Sequence, residues 1–221
     1  MTALARPLAI ALLVGTALLG VGAVLHPVLA GDGAAQLRTI AGTAYWRPLH
    51  LAMLAGSGLV IAGLWVRALR ERGAAPAPLL GALAVIAIGL TLNALNIAFM
   101  AGAGWHMAAM FTAGRTEMGA LFDATHPIGL MSARFGNFLV ALGALSLGWL
   151  EWRDASAPRW LAALAWLAAL GGLAGALFFS EASPAALGAV ALLSGWQVVT
   201  ALRALRGGPG VASGPGAARA P

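Results

Sequence analysis

Hydrophobic positions run along this chain in long unbroken blocks. Charge-free stretches cover residues 7–31, 48–66, 73–114, 135–150, 160–180 and 182–202. About 20 apolar residues suffice for a helix to cross the hydrocarbon core of a bilayer. The blocks are rich in Leu and Ala and lack the period-two alternation of membrane strands. The 73–114 block is too long for one crossing. It reads as one span followed by a re-entrant or surface segment that starts at the Gly-rich AGAGWHMAAMFTAG. The pattern thus predicts an all-α integral membrane protein with six transmembrane helices, over 8–25, 49–69, 79–100, 128–150, 160–179 and 185–205. Residues 1–206 form one transmembrane domain. The Gly/Pro/Ala-rich stretch 207–221 is expected to be a disordered cytoplasmic tail.

Composition agrees. Of 221 residues, 61% are hydrophobic and 9% are charged, against roughly 25% charged in an ordinary soluble domain. Such a chain cannot cover a globular surface with polar groups. It has no Cys and no Lys. That excludes disulfides, thiol catalysis, iron–sulfur clusters and Schiff-base cofactors.

Charge placement then orients the bundle. With six spans, Arg6, Arg67, Arg70, Arg72, Arg153, Arg159, Arg203, Arg206 and Arg219 share one side. Arg38, Arg47, Arg115 and Arg134 belong to the other. The positive-inside rule therefore predicts cytoplasmic N and C termini. Trp46, Trp65, Trp105, Trp149, Trp152 and Trp160 fall near span ends, as an aromatic belt should. Topology accounts for the basic charge, and no Arg cluster with interleaved aromatics points to nucleic acid. Arg in place of Lys, with abundant Ala and Gly, suggests a GC-rich bacterial genome and hence the cytoplasmic (inner) membrane. The first block, ending Val28-Leu29-Ala30 before Gly31, also has the outline of a signal peptide.

The candidate chemistry lies at the outward end. All four histidines, His26, His50, His106 and His126, fall at or beyond the outer boundary. Three spans carry polar stripes at helical spacing in the same leaflet: His50, Met53 and Ser57; Asn93, Asn96 and Met100; His126, Arg134 and Asn137. Pointed at one another, these make an outward-opening polar pocket. His50, Ser57, Asn93, Asn96, Arg134 and Asn137 are its candidate ligand-binding residues. His50 and His126 are the expected metal ligands, with His26, His106 and Asp123 as further donors. Asp123 and Glu117 are expected counter-charges for Arg134 and Arg115. Histidine, methionine and carboxylate together suit haem b or a transition metal.

Three function classes fit. One is a binding or electron-transfer membrane protein whose pocket holds haem, a metal ion or a small ligand. Another is a scaffold whose stripes knit its own helices, or contact a membrane partner or a second copy. The third is a metal-dependent lipid hydrolase, for which His50, Ser57, His126 and Asp123 are the right residue types. HExxH, Walker and GxSxG motifs are absent.

Overall fold

The structure is a computed structural model that describes residues 4–70, 76–154, 157–178 and 184–206. Among these it is 89% helical, with no strand. The elements are α1 (Ala5–Leu25), α2 (Gly33–Gly42), α3 (Trp46–Leu64), α4 (Val66–Arg70) and α5 (Ala77–Phe99), then a π-helical turn (Met100–Gly104). They continue with α6 (Trp105–Thr112), α7 (Glu117–Arg153), α8 (Arg159–Phe178) and α9 (Pro184–Arg206). Among the described residues, five stretches are long and apolar enough to cross a membrane: Ala5–Leu25, Trp46–Leu69, Ala77–Thr112, Glu117–Arg153 and Arg159–Phe178. The 207–221 tail and the 180–183 connection lie outside the described residues.

Among the described residues, six long helices pack in cyclic order. α1 lies between α3 and α9, α3 meets α5, α5 meets α7, α7 meets α8, and α8 meets α9. Small residues allow this. A Cβ on Gly15 would fall 2.7 Å from the Gly56 carbonyl oxygen, and one on Gly89 would fall 2.5 Å from that of Gly136. Backbones approaching so closely gain packing that lipid tails cannot give. The main core runs along this ring through Leu12, Val60, Leu64, Leu83, Ile86, Leu147, Leu161 and Trp196. α1 supplies Ala5, Ala9 and Leu12 to it, so loss of residues 1–30 would open the bundle.

A second core sits at the end that carries the histidines. It joins Leu37 and Ile40 of α2, Trp46, Met100, Met107, Met118 and Phe122. Two connections between the sequence-derived spans are structured here. The 26–48 connection contains α2, started by Asp32, whose carboxylate accepts from the Ala35 N–H at 2.8 Å. The 101–127 connection is mostly helical as well. α5 continues through the π turn into α6, and α7 begins at Glu117 instead of Ile128. Pro127 sits inside α7. Its missing N–H and its ring normally interrupt a helix, which is why His126-Pro127 reads as a helix start. The tertiary packing of Met118 and Phe122 into the second core holds those preceding turns helical.

Candidate functional site

His26 caps the C-terminal end of α1, and His50 lies one turn into α3. Their Nε2 atoms stand 3.2 Å apart. His50 is 2% exposed and His26 half-buried. The Nδ1–H of His50 donates to the Trp46 carbonyl at 2.8 Å, four residues back along the same helix. The Trp46 ring packs on both imidazoles, with centroids 4.4 Å from His50 and 5.0 Å from His26. Trp46 is itself fixed, because its indole N–H donates to the Met100 carbonyl in the π turn at 3.1 Å. π turns interrupt the regular helix ladder and recur at functional sites. His26 also hydrogen-bonds the backbone of Pro27, which has no N–H and can only accept.

In its neutral state the His50 Nε2 is an acceptor, because the ring proton sits on Nδ1. It faces the His26 Nε2, which can donate to it; an extra proton or a metal ion between the rings is the alternative. Burial pushes the His26 imidazole below its ordinary pKa of 6.5, although the bond to Pro27 works the other way. A buried extra proton is therefore disfavoured. Two ligands each about 2.0–2.1 Å from a tetrahedral metal stand about 3.3 Å apart, close to the spacing found here. Nδ1–H bonded to a backbone carbonyl is also the usual outer support of a metal-binding histidine.

One turn further in, Met53 lies across Gly22, with its sulfur 2.7 Å from where a glycine Cβ would stand. Ser57 is buried and donates to the Met53 carbonyl at 3.1 Å. The His50–Met53–Ser57 stripe thus faces α1. Among the described residues no group of three His, Cys, Asp or Glu side chains could hold a metal. Any third ligand would come from elsewhere, such as a thioether, a carbonyl or water.

The remaining sequence candidates go elsewhere. His126 is buried against Phe122 and Phe99, with centroids at 4.6 and 6.3 Å. The structure pairs His50 with His26 and places His126 in this aromatic stack. His106 is exposed on α6. Asp123 is exposed, and its carboxylate lies beside Gly33 at the start of α2. Asn93 and Asn137 meet each other, with Nδ2–H donating to Oδ1 at 2.7 Å between α5 and α7. The Asn96 side-chain oxygen lies against Gly129 on the same interface. Arg115 pairs with Glu117 as expected. The expected pairing of Arg134 with Asp123 or Glu117 is corrected. All three belong to one continuous helix, in which Asp123 lies about 16 Å and Glu117 about 25 Å from Arg134 at 1.5 Å per residue. Arg134 instead lines a surface groove with Met131, Phe135, Phe138, Ala176 and Leu177.

Sequence reading missed Glu151. Its side chain is fully buried at the far end of the bundle, with Arg67 at 3.3 Å. It follows directly on the 135–150 apolar block, so it reads as a span boundary. A lone acid between Leu150 and Trp152 is the signal that could have found it.

No protein-family model, curated protein or solved structure matches this chain.

Proposed function

We propose that this chain is a six-span bacterial inner-membrane protein that binds a transition-metal ion at its outward end, with His26 and His50 as ligands. The observation that carries the reading is the Nε2–Nε2 spacing of 3.2 Å, with the Nδ1 of His50 held by a backbone carbonyl. The donor chemistry favours zinc, copper or nickel, for which imidazole is a suitable ligand. Met53 adds a soft thioether one turn away, which favours copper(I) among these. The rings as they stand leave no room for a porphyrin between them, so a bound ion suits the pair better than haem. The nine Arg of the N terminus, the 67–78 and 151–159 turns and the C-terminal stretch support cytoplasmic termini. That orientation puts the histidine pair outside.

The lipid-hydrolase reading gains little. Ser57 lies about 10 Å along α3 from His50 and is engaged with the Met53 carbonyl, while Asp123 is exposed beside Gly33. The scaffold reading has one supporting observation, the direct Asn93–Asn137 bond, and it describes the α5–α7 stripes well. The test is titration of chelator-treated protein with Co²⁺, Zn²⁺ and Cu⁺. Saturable binding of one ion per chain, lost in both His26→Ala and His50→Ala, supports the metal site. Equal binding in wild type and both variants leaves the scaffold reading.

A further inference from the structure

The Glu151 end of the bundle holds a second polar group, remote from the histidines. Arg67 lies 17 residues after His50 on the α3–α4 segment, about 25 Å further along the helix axis. Glu151 is 0% exposed. Around it stand Arg67 of α4, Trp196 and Arg203 of α9, and Asp154 just past its own helix. Trp196 and Thr200 are also buried, at 1% and 3% exposure. They are four residues apart on α9 and so share a face.

Yet the group is poorly satisfied by protein alone. The Trp196 indole N–H approaches the Glu151 carboxylate without making a well-aligned hydrogen bond. Both Glu151 oxygens, Arg67 Nε and Thr200 Oγ1 are likewise buried without a well-formed hydrogen bond. Arg67 is close enough to Glu151 for ionic attraction, but that contact is no hydrogen bond. Buried polar groups are almost always bonded, and a cluster of exceptions calls for an explanation.

The unsatisfied atoms match one small molecule. Water accepts two hydrogen bonds and donates two. Arg67 Nε–H and Trp196 Nε1–H are donors. A Glu151 oxygen and the Thr200 oxygen are acceptors. We propose that this cluster is a binding site for internal water, bridging Glu151 to Trp196, Thr200 and Arg67 and tying α9 to α4 and α7. The second Glu151 oxygen allows a further water on the same carboxylate. Internal waters of this kind make about three hydrogen bonds to groups that would otherwise lack partners. Neighbouring helix positions belong to the apolar core, among them Leu64, Leu147 and Ala201, so water there would be held by these few polar side chains.

X-ray radiolytic footprinting of the full chain in lipid nanodiscs tests this, since bound water is the source of the labelling radical. Trp196 should be oxidised despite its burial, while the equally buried Phe122, in the other core, stays protected. Thr200→Val and Glu151→Gln should each lower labelling of Trp196, with Phe122 still protected as evidence of an intact fold. Protection of Trp196 equal to that of Phe122 in the wild type would overturn the proposal. So would Trp196 labelling that is unchanged in both variants. The metal site plays no part in either outcome.

Discussion

The Trp46 indole N–H donates to the Met100 carbonyl at 3.1 Å. This bond joins the start of α3 to the π turn after α5. The same ring forms a wall for His26 and His50, and its backbone carbonyl holds the His50 ring. One residue therefore couples the second core to the histidine pair. Trp46→Phe keeps an aromatic wall and removes the indole donor. It leaves the buried Met100 carbonyl without this partner, which costs about 1–3 kcal/mol. A lowered unfolding midpoint in detergent, together with faster amide exchange in residues 100–104, is the expected result. Unchanged exchange there would show that the bond does not hold the turn.

The α5–α7 interface gives a smaller expectation. Asn93 and Asn137 satisfy each other beside the Gly89–Gly136 contact. Side-chain hydrogen bonds within membranes average about 0.6 kcal/mol in double-mutant cycles, with a maximum near 1.7. A cycle of Asn93→Ala and Asn137→Ala should return a coupling in that range and leave metal binding at the histidines intact. Loss of metal binding in these variants would instead move the site toward the asparagines.

Acidification should act on His26. Burial holds its folded pKa below the ordinary value of 6.5. Well above about pH 6.5 both folded and unfolded forms are neutral, and no penalty arises. As pH falls below that value the unfolded chain takes up a proton first, so stability declines until the folded pKa is passed. Metal-free protein should thus lose thermal stability on acidification through this window, and His26→Gln should lessen that loss without abolishing it, because the buried His50 imidazole remains. A stability that rises on acidification through the same window would contradict the buried, neutral state of His26.

Topology is tested by reporters fused after Pro221. Six spans with cytoplasmic termini predict activity only from a reporter that works in the cytoplasm. Activity from an export-dependent reporter would require an odd number of spans. Intact mass on the same material would show whether residues 1–30, and His26 with them, remain on the chain.

Much of the bundle was legible in the blocks alone, because bilayer thickness imposes a length that composition reveals directly. All five long apolar stretches overlap the blocks. The connections were not legible, because α2 and the first turns of α7 are held by tertiary packing of Leu37, Ile40, Met118 and Phe122 instead of by apolar length. The histidines were visible as a set, but their pairing was not. Spacing places His50 and His126 each on a helix beginning a polar stripe, while only the packing of α1 against α3 brings His26 to His50. Glu151 escaped because an acid at a span end looks like the edge of the membrane, and its burial depends on α4 and α9 closing over it.

The most direct test of the metal site is X-ray absorption at the metal edge of protein loaded with one equivalent of Zn²⁺ or Cu⁺, compared with His26→Ala and His50→Ala. The account predicts imidazole scattering from two rings, with nitrogens at about 2.0–2.1 Å from zinc. Each single variant should reduce this to one ring and weaken binding. A wild-type spectrum without histidine scattering, or one unchanged in His50→Ala, would contradict it.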